Sequence, residues 1–321
     1  MKSVRFHEYG GPDVLRYEEV EQPVPAAGEV RIQVAATSFN PVDGNIRAGF
    51  MQGPIPVTLP HTPGIDVSGT VDALGEGVDV VSVGDRVVGF LPMTGTGAAA
   101  EYVIAPAELL TAAPTSIPLA DAGGLPLVGL TAWQALFDHA ELTPGQRVLI
   151  NGAGGAVGGY AVQLAKHAGA YVIATAGPRS GERARAAGAD EVFGHGVPEL
   201  SALVDVVLNL APVDPMQLAA LTSVVRDGGV VVNTTVWMPA PSDEDRGVRG
   251  VNVFVNSDAG QLARLVTLVD SGVLRVDIAR RVPLADLPDL HAEAAEGALV
   301  GKAIILPSRP TLPSASFASS A

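Results

Sequence analysis

From Met1 to about Pro118 apolar and polar residues alternate in short runs. Val30, Ile32 and Val34 are separated by Arg31 and Gln33, the period of two that gives one strand face to a core and the other to water. Similar runs, "VLRYEEV", "DVSGTVDAL", "DRVVGFL" and "AEYVIAP", are punctuated by Pro23, Pro25, Gly28, Gly75, Gly77 and Gly84, which supply turns. The pattern predicts an all-β segment, a small barrel or folded sheet.

Near Asp121 the period changes. Helical stretches are expected over 127–139, 156–168, 181–187 and 215–225, interleaved with short apolar runs at 147–151, 171–176, 191–195, 204–210 and 229–235. Continuous Val/Ile/Leu runs suit parallel strands covered on both faces, and their alternation with helices implies βαβ units. The expected fold class is therefore α/β, with a doubly wound parallel sheet beside a β-rich part. Beyond Asp258 the pattern predicts a helix in "AGQLARLVTLVDSG", a strand in "RVDIARRVPL", a helix over 286–296 and a last strand "KAIIL". Residues 309–321, within "SRPTLPSASFASSA", read as a loose tail.

One junction carries chemistry. Ile150 to Lys166, "INGAGGAVGGYAVQLAK", lies between an apolar strand and a helix, with another strand ending about 20 residues later, the order a dinucleotide-binding turn requires. The nearest glycine register is Ala153, Gly155, Gly158. Ala153 suits the first position if its backbone avoids positive φ. Gly154, Gly155, Ala156 and Val157 then present amides to a pyrophosphate at a helix N-terminus; the alternative is a tight packing turn without a ligand. The following strand ends "ATAGPRS", with no acid between Tyr171 and Ser180. A carboxylate there would bind ribose hydroxyls and repel a 2'-phosphate, whereas Arg179 or Arg183 pairs with one, so NADP(H) is the expected cofactor. Arg183 and Arg185 also suit a solvated helix face, the favoured reading for Arg185.

Composition narrows the partners. The 321 residues are 47% hydrophobic and 17% charged with a net charge of -14, a globular, acidic chain unsuited to nucleic acid or anionic membranes. The expected location is cytoplasmic, since the chain shows no signal-peptide core and no apolar span of membrane length. Cysteine is absent, which removes disulfides, thiol nucleophiles and thiolate-bound zinc. The six histidines are scattered without an H-x-x-x-H pair, so no metal site is expected.

The segments "YGGPDVLRYEEV", "SFNPVDGNIRAG", "TPGIDVSGTV", "VGDRVVGF", "AAAEYV", "LPLVGLTAWQAL", "PGQRVLINGAGGAVGGYAVQLAK", "GADEVF" and "GKAIIL", in this order, resemble the zinc-independent, zeta-crystallin-like quinone oxidoreductases of the medium-chain dehydrogenase/reductase superfamily. The resemblance runs from Met1 to about Leu306. It implies a GroES-like domain over 1–119 completed by 257–308, a Rossmann domain over 120–256, and commonly a homodimer. Zinc alcohol dehydrogenases of the superfamily carry a Cys ligand in the segment matching "FNPVDG" and Gly-His-Glu where this chain has Gly64, Ile65 and Asp66. Ile65 cannot ligate a metal.

The resemblance implies hydride transfer from NADPH to a small electrophile. A quinone is the first expectation; an α,β-unsaturated carbonyl, or binding of NADPH without turnover, are the alternatives. By resemblance Asn40 lies near the nicotinamide and Asp43 braces its loop, although an acid after "NPV" is also a turn cap. Thr131 matches a threonine near the nicotinamide and pyrophosphate, or caps a helix. Phe254 and Val255 match a strand end beside the carboxamide, and Leu210 and Ala211 close another strand at the same edge. Asn45 and Met51 stand where relatives place tyrosines that shape the substrate pocket. His61, where relatives often have an aromatic, reads as a hydrogen-bond donor or proton source, or as a structural histidine. His195 falls where many relatives place a tyrosine beside the 2'-phosphate. His7, His139, His167 and His291 read as surface or packing residues.

Overall fold

The computed structural model describes residues 1–235 and 237–307; the sequence-predicted tail lies outside them. Strands β1 (Lys2–Phe6) and β2 (Leu15–Glu19) form an antiparallel pair. They lead into β3 (Glu29–Ser38), helix α1 (Pro41–Arg47), and strands β4 (Asp66–Leu74), β5 (Arg86–Phe90), β6 (Tyr102–Pro106) and β7 (Leu110–Ala112). Val30, Ile32 and Val34 of β3 are buried, as the alternation requires.

Helices α2 (Leu119–Ala122) and α3 (Pro126–Trp133) follow, and α3 continues as a π-helical turn over Gln134–His139. Next come β8 (Arg147–Asn151), α4 (Ala156–His167), β9 (Tyr171–Thr175), α5 (Gly181–Ala186), β10 (Glu191–Phe193), β11 (Val204–Asn209), α6 (Pro215–Ala220), β12 (Val225–Asn233) and β13 (Arg249–Asn252). These strands form one six-stranded parallel sheet in the order β10-β9-β8-β11-β12-β13. The strand order reverses between β8 and β11, leaving a crevice at the carboxyl edge where ligands of such sheets bind. Val148, Leu149, Ile150, Val172 and Ile173 are fully buried, because helices cover both faces.

The chain then returns to its first half. After α7 (Ala259–Asp270), strand β14 (Ile278–Pro283) and α8 (Leu287–Ala295), strand β15 (Lys302–Leu306) pairs antiparallel with β3. A seven-stranded sheet, β14-β15-β3-β4-β5-β7 with β6 also on β3, is thus built from both ends of the chain. Among the described residues no helix is long and apolar enough to cross a membrane.

Several local expectations shift. The helix expected to Val225 stops at Ala220, a short 3-10 turn over Leu221–Val224 follows, and β12 starts at Val225 because that residue pairs with Val204. "NPVDGNIR", read as a turn, is helix α1, with the Asp43 carboxylate accepting from the Asn40 backbone N–H (2.9 Å), one half of a capping box, and proline in its first turn. Strands β1 and β7 are also additions, and β13 ends at Asn252, before the strand end that the resemblance placed at Phe254 and Val255.

Candidate functional site

The turn between β8 and α4 takes its shape from two glycines. Gly152 has φ +86°, a conformation glycine adopts without the clash a side chain brings. It therefore fills the tight-turn role expected of Ala153, which is buried and has no positive φ. A Cβ on Gly158 would lie 2.5 Å from the Ala153 Cα and carbonyl oxygen, so this glycine lets α4 press on the turn. Gly155 is the N-cap of α4 and no side chain caps it, which leaves the first-turn amides available to an anion. A cleft of about 380 Å³ opens over this turn, lined by Gly154, Gly155, Tyr160, Arg183, Asp277 and Lys302 among others.

A buried polar cluster lies at the cleft's inner end. The Asp66 carboxylate accepts from Leu127 N (2.7 Å) at the start of α3, from Asn40 Nδ2 (2.9 Å), from Ser38 Oγ, and from the Lys302 ammonium (3.3 Å). Lys302 also donates to Asn40 Oδ1 at 2.6 Å. Burial pushes the Lys302 ammonium below its ordinary range while the Asp66 charge pulls it back. Asn40 is 1% exposed, with its amide oxygen on Lys302 and its nitrogen on Asp66 and Ser38. Its side chain is thus held in one orientation by the protein. Asp43 accepts from Asn40 N (2.9 Å) and Gly64 N (3.0 Å) and so ties the "NPVDG" and "TPGID" segments together. Burial pushes its carboxyl up to about 7.

Other expected residues divide between this region and the core. Thr131 is buried inside α3 and donates to Leu127 O at 2.7 Å; it is not a helix cap. Met51 is 3% exposed and packs with Val4, Phe6, Leu15, Ile46 and Ile55. That corrects its reading as a pocket residue: the side chain fills a core. Asn45 is half-buried on α1. His61 is buried edge-on against Phe6, ring centroids 5.3 Å apart, and desolvation lowers its pKa to about 4. It is therefore neutral near pH 7, which argues against an imidazolium proton source. His291 is likewise buried, against Phe39, with its pKa lowered to about 3 by burial and by Arg47.

At the far edge Arg179 is exposed in the turn before α5, whereas Arg183 pairs with Asp277 (3.3 Å). The His195 ring sits over Gly177, its Nε2 2.8 Å from where a Cβ on that glycine would be. Leu210 donates its amide to Asn151 O (2.9 Å), and the Ala211 nitrogen comes within 3.0 Å of a Cβ built on Gly152. These two residues thus flank the glycine turn across the β8–β11 crevice. Phe254 is exposed just past β13, and Val255 packs against the main core.

Comparison with known proteins agrees with this architecture. The alcohol dehydrogenase GroES-like domain model matches residues 26–115, and the zinc-binding dehydrogenase model matches 187–305. A chloroplast envelope quinone oxidoreductase homolog from Arabidopsis thaliana is 34% identical, covering 96% of this chain and 98% of the relative. The chain belongs to the zeta-crystallin-like quinone oxidoreductase branch of the medium-chain dehydrogenase/reductase superfamily. It is an oxidoreductase with the NAD(P)H dependence of that branch. Among solved structures, the quinone oxidoreductase from Coxiella burnetii superposes with a TM-score of 0.87 at 28% identity, covering 96% of this chain and 99% of that one. A mycobacterial protein complexed with NADPH superposes with a TM-score of 0.82 at 28% identity, covering 96% and 100%.

Although one matching family model carries zinc in its description, the donor set here does not fit that metal. The chain has no cysteine, Ile65 precedes Asp66, and the Asp66 carboxylate is taken up by an ammonium and three neutral donors. A second cation would be repelled by Lys302. Among the described residues no three His, Cys, Asp or Glu side chains converge.

Asp66 and Lys302 are the site residues that sequence reasoning left without a role. The available signal was a charge inside the apolar strand "GIDVSG" and another opening "GKAIIL", since a charge on a buried strand needs a partner.

Proposed function

We propose that the protein is an NADPH-dependent, zinc-independent reductase of quinones. The observation that carries the preference for NADPH is the acid-free end of β9, where exposed Arg179 and the His195 ring flank Gly177. Guanidinium and imidazole groups attract a 2'-phosphate that a carboxylate would repel. The quinone substrate is supported by the names of the relatives.

When bound, NADPH supplies the hydride, and hydride plus one proton converts a quinone to a hydroquinone. The amides of Gly154, Gly155, Ala156 and Val157 at the start of α4, with Leu210 and Ala211 at the same crevice, would hold the pyrophosphate. Arg179 and His195 hold the 2'-phosphate. Thr131, Phe254 and Val255 border the nicotinamide side. Asn40 acts as a positioning residue, its amide locked by Lys302 and Asp66, and Asp43 braces its loop. Neutral His61, packed edge-on against Phe6 in the core, supports this region from behind, half-buried Asn45 borders the acceptor, and the proton comes from solvent. Such an enzyme acts as a homodimer, as the family resemblance implies.

The test is NADPH oxidation measured side by side with benzoquinones, naphthoquinones, enals and enones. Turnover of quinones is expected. Inactivity on every quinone with turnover of enones assigns the site to α,β-unsaturated carbonyls, and tight NADPH binding without oxidation by any acceptor makes the chain a silent binder.

A further inference from the structure

Four of the six parallel strands end in asparagine: β8 in Asn151, β11 in Asn209, β12 in Asn233 and β13 in Asn252. Strand β9 ends in Thr175. The strand register sets these five residues side by side at the carboxyl edge, Thr175 beside Asn151, then Asn209, Asn233 and Asn252. Their side chains hydrogen-bond in one direction. Thr175 Oγ1 donates to Asn151 Oδ1, Asn151 Nδ2 to Asn209 Oδ1 (2.7 Å), Asn209 Nδ2 to Asn233 Oδ1 (2.9 Å), and Asn233 Nδ2 to Asn252 Oδ1 (3.3 Å). The first four are buried, while Asn252 stands at the exposed end.

The remaining capacity of these groups is spent on the loops that leave the same strands. Thr175 Oγ1 accepts from Gly152 N (3.2 Å) in the glycine turn. Asn209 Nδ2 also donates to Ala211 O (3.1 Å); the two hydrogens of Asn233 Nδ2 meet Met238 O (2.8 Å) and Thr235 O (3.0 Å), so its longer contact to Asn252 Oδ1 is a three-centre bond that shares one of them. Asn252 Oδ1 accepts from Ala240 N (2.9 Å). An amide has a distinct donor end and acceptor end. Reversing Asn209 alone would set donor against donor toward Asn151 and acceptor against acceptor toward Asn233, and the carbonyls of Ala211, Thr235 and Met238 with the amide of Ala240 fix the direction of the row as a whole.

For packing alone these positions call for the valines and isoleucines that fill the strands behind them, since buried amides contribute little net stability and cost much when unpaired. The row instead crosses beneath the β8–β11 crevice and reaches loops on both of its sides. We propose that this amide ladder is a positioning device for the dinucleotide, resting on the cofactor reading above. It holds the glycine turn in register with residues 210–211 and with Thr235, Met238 and Ala240, so that one extended ligand meets both halves of its site already arranged. Its residues lie under the binding loops and act through them.

Titration of the full chain with NADPH and with adenosine 2',5'-bisphosphate, the adenosine half alone, tests the ladder. Asn209→Leu cuts it at the centre. NADPH affinity is expected to fall about tenfold, because both halves must be in register, while the half-ligand on the β9 side stays within about twofold of the unaltered chain. Equal weakening of both ligands, as a loosened fold produces, or no weakening of NADPH overturns the proposal. Should Asn209→Leu not fold, Thr175→Val and Asn252→Ala at the two ends carry the test. If the row acts as a unit, the double variant weakens NADPH by less than the product of the single effects; a strict product overturns it. Failure of the unaltered chain to bind NADPH shows before any variant is made, and it removes the cofactor reading and the ladder with it.

Discussion

The Lys302 ammonium lies 3.3 Å from the Asp66 carboxylate, with both side chains at most 2% exposed, and the contact joins strands 236 residues apart in the chain. Removing one partner of such a pair strands a buried charge, a cost of about 3–5 kcal/mol, whereas replacing both with apolar residues is often neutral. Lys302→Met should therefore lower the urea midpoint sharply, and Asp66→Leu combined with Lys302→Met should recover much of the loss. The double variant should still show poor turnover, because Asn40 loses both of the charged groups that hold its amide. Equal stability of the single variant and the parent would remove the ion pair from the account of the fold.

Arg179 is exposed and sits near the acid-free end of β9. Arg179→Ala should weaken NADPH by about tenfold, the scale of one charge-assisted contact, and leave NADH nearly unchanged. Fluorescence titration with the two cofactors gives the ratio, and equal loss for both takes Arg179 out of the 2'-phosphate site.

Acid stability should follow the buried histidines. His61 is held at about 4 and His291 at about 3, below the ordinary 6.5. Between those values the unfolded chain binds protons that the fold refuses, so their contribution is complete above pH 6.5 and is lost as the pH falls through 4 and then 3. The His61 gap corresponds to on the order of 3 kcal/mol. Asp43, raised to about 7, acts in the opposite sense: its contribution is present below the ordinary carboxylate pKa and lost as the pH rises through 7. The difference between parent and His61→Gln isolates the histidine. Its urea midpoint should fall less steeply than the parent's between pH 6.5 and 4; parallel curves would show that His61 titrates normally in the fold.

Gly158 presses α4 onto the backbone of Ala153. Gly158→Ala adds a methyl group where only backbone can give way, which should cost about 1–3 kcal/mol and weaken NADPH by displacing the first turn of α4. Unchanged melting and unchanged affinity would show that the helix has room to shift.

Prolonged dialysis against EDTA should leave turnover intact, since the donors around Asp66 are taken up by Lys302 and neutral groups. Activity lost on dialysis and restored by zinc would contradict the metal-free reading.

Much of the scaffold was legible because it depends on neighbours in sequence. The limits of β8 and β15 coincide with "RVLIN" and "KAIIL", and the glycine turn stands where its flanking strand and helix put it. Helix α1 escaped because its cap is spelled by Asn40 and Asp43 around a proline, which reads equally as a turn. The repeated terminal asparagine of "RVLIN", "VVLN", "VVVN" and "RGVN" was also in plain view, but it acquires meaning only once the strands lie side by side. Met51 went the other way. Its position matched a pocket residue, and the fold of its segment turned it into the core.

By itself the sequence determined the alternation of β-rich and βαβ segments, the dinucleotide turn, the missing thiolates and the acid-free edge of β9. Each of these rests on composition, or on periodicity and steric rules that act over a few residues. Tertiary structure decided which charges meet at Asp66, how Asn40 is oriented, that Gly152 makes the positive-φ turn, and that His61 is neutral. Those outcomes depend on strand order and burial, which bring together residues hundreds of positions apart and set the dielectric around them.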